Sequence, residues 1–189
     1  MAEVKVLVKG FTSADSKPEA GEKEKTCATI SLIIDGYIKI IVDPGILKDK
    51  NILINALKKE GLDVKDINYV ALTHSHADHF RNIGLFPNAK LLEFFGIWHE
   101  DTVEDWKEDF TENIKIIKTP GHSNTGISFV VNTSKGKVAV VGDVFWKENH
   151  PKEDPYAECM EELRKSRQKI LKIADWIVPG HADIFKVKK

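Results

Sequence analysis

Short apolar runs, punctuated by turn residues, dominate this chain and set its predicted elements. The opening Met-Ala-Glu-Val-Lys-Val-Leu-Val-Lys-Gly alternates charged and apolar side chains, the two-residue period of a half-buried strand. A secretory leader needs an unbroken apolar stretch and a small-residue cleavage site, so this segment predicts a first strand instead. Cys27 to Ile34 and Tyr37 to Val42 predict a hairpin turning at Asp35-Gly36, a strong turn dipeptide. Ile52, Leu53, Ala56 and Leu57 have helical spacing, and Gly61 is placed to end that helix. Further strand-like runs cover Tyr69 to Leu72, Ala89 to Leu92, Ile114 to Ile117, Ile127 to Val131, Val138 to Val141 and Trp176 to Val178. A longer helical pattern spans Pro155 to Ile173, with Met160, Leu163, Ile170 and Ile173 among its apolar positions. Strands alternate with helices, which predicts an α/β class. No repeat, low-complexity tract or composition shift marks a boundary, so residues 1–189 are expected to form a single domain.

One segment breaks the pattern. Gly10 to Lys25 is rich in Ser, Lys, Glu, Gly and Pro and lies between two strand-like runs. A loop that long is either disordered or positioned for function, and a flap beside a site is expected here.

Composition narrows the class. A chain of 189 residues with 42% hydrophobic and 30% charged content can bury a substantial core, and a formal charge of -1 excludes the highly charged disordered class. The same near-zero balance gives no sequence-wide attraction for nucleic acid. No segment approaches the roughly 20 consecutive apolar residues that span a bilayer, so no membrane association is expected. Cys27 and Cys159 cannot build a disulfide framework and neither sits in a CxxC pair. They are expected as reduced thiols in a cytoplasmic protein, which disfavours a sulfur-based zinc site.

The chemistry lies where the apolar runs end. Tyr-Val-Ala-Leu runs into Thr73-His74-Ser75-His76-Ala77-Asp78-His79, and Ile-Lys-Ile-Ile-Lys into Thr119-Pro120-Gly121-His122. Val-Ala-Val-Val leads to Gly142-Asp143, Trp-Ile-Val to Pro179-Gly180-His181, and Ile-Ile-Val to Asp43-Pro44-Gly45. Strand ends are where open α/β sheets bind ligands, and Gly or Pro beside a ligand fixes the turn that aims it. The spacing in His74-Ser75-His76 puts both imidazoles on one side of an extended segment, whereas the adjacent Asp78 and His79 are expected to diverge toward a second ion. His99 and His150 are expected as solvated loop side chains.

In order and approximate spacing, His74-Ser75-His76-Ala77-Asp78-His79 with His122, Asp143 and His181 resembles the metal-binding motifs of the metallo-β-lactamase superfamily. Asp43-Pro44-Gly45 resembles its upstream motif. The resemblance covers essentially the whole chain and implies an αβ/βα four-layer sandwich, two mixed β-sheets flanked by helices. It implies that His74, His76 and His122 hold one ion, that Asp78, His79 and His181 hold the other, and that Asp143 bridges them. Asp43 would support the site from behind, and Asp78 and His79 are the expected catalytic residues. Two zinc ions suit these donors, with iron or manganese also compatible. A hydroxide bridging two ions would need no Ser or Cys nucleophile, since metal binding lowers the pKa of water from about 15.7 to about 7.

Departures from the superfamily's branches narrow the activity. The β-lactamases proper lack a bridging Asp at the position of Asp143. Glyoxalase II carries an extra C-terminal helical domain, whereas this sequence runs eight residues past His181. The interval from His122 to His181 is too short for the exosite arm of RNase Z or the inserted domain of mRNA-cleaving members. Flavodiiron proteins place an acidic residue where His76 stands. Val42-Asp43-Pro44-Gly45, Asn82 to Pro87, Thr119 to His122, Gly142 to Phe145 and Ala174 to His181 resemble a nuclease branch. That resemblance implies phosphodiester hydrolysis of RNA or single-stranded DNA. Ser123, Asn124 and Lys147 follow ligand-bearing loops and are expected to contact substrate, Lys147 as a cation near phosphate. The alternative is an acyl hydrolase cleaving a thioester, lactone or β-lactam; a second is a mononuclear iron persulfide dioxygenase. Expected partners are therefore a single-stranded nucleic acid or a small ester-type substrate, with oligomer formation open.

Overall fold

The computed structural model describes residues 1–14 and 23–188. In chain order, the first elements are β1 (Glu3–Val8), β2 (Phe11–Thr12), β3 (Thr26–Cys27), β4 (Ile30–Asp35), β5 (Ile38–Val42), α1 (Asn51–Lys59), β6 (Tyr69–Ala71), α2 (Ala77–Phe80), β7 (Lys90–Glu93), β8 (Gly96–His99) and β9 (Thr102–Glu104). They are followed by β10 (Ile114–Lys118), β11 (Ile127–Thr133), β12 (Gly136–Gly142), α3 (Met160–Ile173), β13 (Trp176–Pro179) and β14 (Phe185–Lys186).

One mixed sheet has the order β1-β4-β5-β6-β7-β8-β9 and a second β10-β11-β12-β13-β14. The runs are apolar at nearly every position because both sheet faces are covered. Along β4 and β5, Ile33, Ile40 and Val42 face the second sheet, while Leu32 and Ile41 pack with Leu53 and Leu57 of α1. In the second sheet Phe129, Val131, Val138 and Val140 face the first, and Val130, Ala139 and Val141 meet Leu163 and Ile170 of α3. The layers are therefore helix, sheet, sheet, helix, the metallo-β-lactamase sandwich.

Several boundaries differ from the sequence reading, each for a local reason. Asp35 pairs with Ile38, so the hairpin turns at Gly36-Tyr37, one residue later than expected. The run from Cys27 splits because Ala28 and Thr29 donate their N–H groups to Asp78 and Gly180 carbonyls rather than to a strand. Helix α3 starts at Met160, not Pro155, because the Glu158 and Cys159 N–H groups bond to His122 and Gly121 carbonyls. Of the expected flap at Gly10 to Lys25, residues 15–22 lie outside the described residues; its two ends pair as β2 and β3. Among the described residues no helix is long and apolar enough to cross a membrane.

Candidate metal centre

Strand ends from both sheets converge on one edge of the sandwich. Strands β5, β6 and β7 run parallel, as do β12 and β13. Parallel neighbours deliver their following loops to the same end. Beyond β6, His76 stays extended (φ -77, ψ 142) and caps α2, whose first turn carries Asp78 and His79. Two groups result: His74, His76, His122 and Asp143, and Asp78, His79 and His181. The seven residues expected to hold metal all lie in them.

Within the first group His76 Nδ1 is 3.0 Å from both His74 Nε2 and His122 Nε2. In the second, His79 Nε2 is 4.0 Å and His181 Nε2 3.6 Å from Asp78 Oδ2. Asp78 and His79, expected to serve a second ion, thus both present ligating atoms to the second group beside His181. Asp143 lies between the groups. Its Oδ1 is 3.4 Å from His79 Nε2 and 3.2 Å from His181 Nε2, and its Oδ2 is 3.3 Å from His122 Nε2.

Behind each buried imidazole a fixed acceptor occupies the far ring nitrogen. His79 Nδ1 meets Asp43 Oδ2 at 2.9 Å, His122 Nδ1 meets Asp154 Oδ2 at 2.8 Å and His181 Nδ1 meets the Cys27 carbonyl at 3.1 Å. His74 Nδ1 is 3.1 Å from the Thr73 hydroxyl, which itself donates to Asp43 Oδ2 at 2.7 Å. With Nδ1 protonated toward these acceptors, the Nε2 lone pairs of His74, His79, His122 and His181 point inward. Inward lone pairs 3 Å apart repel unless a positive species lies among them. His79 Nε2 and Asp143 Oδ1 are buried and have no hydrogen-bond partner among the described residues. Orphaned atoms of that kind, on a nitrogen and carboxylate donor set, fit a pair of divalent cations.

The charges are strongly coupled. Burial, then the neighbouring His79, pushes the His74 pKa well below its ordinary value, and burial with His122 lowers that of His76. Burial also disfavours the His79 imidazolium, but Asp43 and Asp143 outweigh it and raise that pKa well above ordinary. His181 is raised against its own burial by Asp143. Burial would raise Asp143, yet His181, His79 and His122 hold its carboxyl well below the usual range.

Glycines let the loops approach this closely. A Cβ on Gly180 would collide with Asp143 Oδ1, and one on Gly142, at φ +52, would collide with Thr73 Oγ1.

The centre opens into a cleft of about 360 Å³ lined by Thr12, Glu24, Thr26, Trp146 and Tyr156, with His76, Asp78, His122, Asp143 and His181 from the two groups. Ser123, Asn124 and Lys147, expected at substrate, do not line it. Ser123 Oγ is 3.1 Å from Thr125 Oγ1, the Asn124 N–H bonds to Glu158, and the Lys147 N–H is tied to the His150 carbonyl. His99 is exposed as expected, but His150 is half-buried, its ring 5.9 Å from Trp146.

Sequence reasoning missed Asp154, Thr26 and Tyr156, whereas Thr12 and Glu24, which line the cleft, belong to the Gly10 to Lys25 segment expected beside a site. Asp154 carried one signal, the Asp-Pro pair ahead of a helix, where an Asx turn to the Tyr156 N–H forms at 2.9 Å. An Asp154→Ala variant is expected to lose about 10–100-fold in metal affinity, the usual loss for an outer carboxylate that orients a ligating histidine. Competition with a chromophoric chelator would measure it; unchanged affinity would remove Asp154 from that role.

Comparison with known proteins agrees with this geometry. The family model described as Metallo-beta-lactamase superfamily matches residues 28–102. Metallo-beta-lactamase domain-containing protein 1 of Xenopus laevis is 32% identical, over 98% of this chain and 82% of that protein. The chain belongs to the metallo-beta-lactamase superfamily. Its members' fold is matched in a solved metallo-beta-lactamase-fold protein from Thermotoga maritima, with a TM-score of 0.75 at 24% identity over 98% of this chain and 99% of that one. An N-acyl homoserine lactonase of a Bacillus species is 28% identical over 67% of this chain and 58% of that protein. This superfamily member is a metal-dependent hydrolase, with residues arranged for a two-metal site.

Proposed function

We propose that the protein hydrolyses a small acyl substrate, a lactone or thioester, at a centre of two zinc ions. The observation that carries this reading is the cleft. Its wall is aromatic, hydroxyl-bearing and acidic, and no Lys or Arg among the described residues lines it. Sites for phosphate normally supply cations or clustered N–H donors. A cleft of about 360 Å³ suits a small molecule, and the lactonase similarity supports the same class.

His74, His76 and His122 would hold one ion and Asp78, His79 and His181 the other, with Asp143 shared between them. When bound, such ions supply a nucleophilic water at neutral pH and polarise the attacked carbonyl. The chain contributes orientation: Asp43, Asp154 and the Cys27 carbonyl lock three imidazoles by their outer nitrogens. Asp78 opens on the cleft, with Oδ2 accepting from Thr26 Oγ1 at 2.8 Å. It is placed to take the proton of the attacking water and return it to the leaving oxygen or sulfur. Asp78→Asn is expected to lower kcat by about 10²–10⁴-fold, the usual contribution of a general base. An Asp78→Asn protein with both metals and full turnover would end that assignment.

A second reading, phosphodiester hydrolysis, is favoured by the adjoining groove, where Lys25 and Lys48 stand beside Phe11, Ile46 and Asp78. Elemental analysis of the purified protein, then assays on single-stranded RNA, bis(p-nitrophenyl) phosphate, a lactone and S-lactoylglutathione, separates the readings. Preference for a lactone or thioester supports the acyl reading, preference for either phosphodiester supports the second, and one iron per chain contradicts both.

A further inference from the structure

In the cleft shared with the two metal groups, a carboxylate and a phenol face each other. Tyr156 Oη donates to Glu24 Oε2 at 2.8 Å, and Thr12 Oγ1 donates to Glu24 Oε1 at 3.3 Å. Glu24 comes from the segment leading into β3, Tyr156 from the turn before α3, and both line the cleft. The pair is held at a set place. The Tyr156 ring lies 5.9 Å from that of Trp146, tilted by 33°. Trp146 in turn packs edge-on against His122 at 6.5 Å and His181 at 6.3 Å, one imidazole from each metal group. A chain of ring contacts thus links Tyr156, and through it Glu24, to one imidazole of each metal group.

An ionised carboxylate only accepts hydrogen bonds, and each oxygen has a second lone pair after the contacts above. Among the described residues no Lys or Arg forms an ion pair with Glu24, which lines both this cleft and the adjoining groove. We propose that Glu24, held by Tyr156, is the specificity-determining group of this cleft. It binds an N–H or O–H donor on the substrate near the scissile bond and turns away a phosphate. This inference rests on the acyl-hydrolase reading and names the feature its substrates share: a donor such as an amide N–H beside the lactone or thioester carbonyl.

Three substrates test it with the metal-loaded enzyme: a γ-lactone bearing an α-amide, the same ring without the amide, and bis(p-nitrophenyl) phosphate. Glu24→Ala is expected to raise KM for the amide-bearing lactone by about three- to tenfold, the weight of one partly exposed charge-assisted hydrogen bond, with kcat little changed. KM for the plain lactone should hold, and KM for the phosphodiester should fall. Glu24→Gln restores an acceptor without the charge, so it should rescue the amide-bearing lactone yet keep the improved phosphodiester KM. The wild-type bias against the phosphodiester should shrink in about 0.5 M salt, where exposed charges are screened within a few ångströms. Equal KM changes on all three substrates, or no change on any, would overturn the assignment while wild-type lactonase activity stands. Wild-type preference for the phosphodiester over both lactones would instead defeat the acyl reading itself.

Discussion

Asp143→Asn is expected to leave the sandwich folded and to cost the enzyme both its second metal and nearly all turnover. Among the described residues Asp143 reaches both groups: Oδ1 faces His79, Oδ2 faces His122, and both oxygens lie 3.2 Å from His181 Nε2. The amide keeps the shape but loses the charge, and one of its two ends becomes an N–H donor that cannot face a cation. Removing one partner from a buried charge cluster costs about 3–5 kcal/mol. At about 1.4 kcal/mol per tenfold, that is about two to three and a half orders of magnitude in metal affinity. Elemental analysis after gel filtration and kcat/KM on the best lactone would measure it. Two tightly held metals with wild-type turnover would show that Asp143 does not join the groups. The contacts behind the site bear on the same result. Asp43 still holds Thr73 and His79, and Asp154 still holds His122, so the imidazoles of the variant should stay oriented and one ion should still bind weakly.

How much of this was legible follows from where the physical signal lay. The sandwich could be read because its strands are buried on both faces: Ile40 and Val42 point one way and Ile41 the other, leaving continuous apolar runs. Strand β9 left no such mark, since all three of its residues are exposed. The inward histidines were legible because His74, His76 and His79 crowd into six positions, and His122 and His181 each follow Pro-Gly at a strand end. Asp154 was not, because it sits in the polar stretch Lys152-Glu153-Asp154 and acquires meaning only by meeting His122, 32 positions earlier. Glu24 and Tyr156 are 132 positions apart, and no local pattern announces their contact. Ser123 stays out of the cleft lining for the converse reason. Adjacency to a ligand in sequence does not aim a side chain, and this hydroxyl meets Thr125 Oγ1 at 3.1 Å instead.

Removing the metals by exhaustive chelation is expected to abolish turnover and to lower Tm, by an amount that depends on pH. A ligand at about a thousand times its Kd stabilises by about 4.1 kcal/mol. For a chain of this size that corresponds to roughly 8–16 °C, taking about 2–4 °C per kcal/mol. The pH dependence has a definite sign. In the chelated protein the raised pKa values of His79 and His181 give stability that is fully present below the ordinary histidine value. It is lost as pH rises through the raised folded values. The lowered values of His74 and His76 act oppositely: their stability is present above the ordinary histidine value and is lost as pH falls from there through the lowered folded values. Asp143, depressed by its imidazole neighbours, gives stability that is lost only in acid, as pH falls through its folded value. Metals need neutral imidazoles, so loading expels whatever protons His79 and His181 hold, and the raised pKa of each makes that cost larger than for His74 and His76. Metal affinity therefore rises with pH, and the Tm gap between loaded and chelated protein should widen between about pH 6 and 8. Calorimetry in buffers of different ionisation enthalpy would count the protons released on loading. A gap that stays constant with pH, or loading that releases no protons, would mean that His79 and His181 do not bind the ions. Full turnover after chelation would mean that no ion takes part in the reaction.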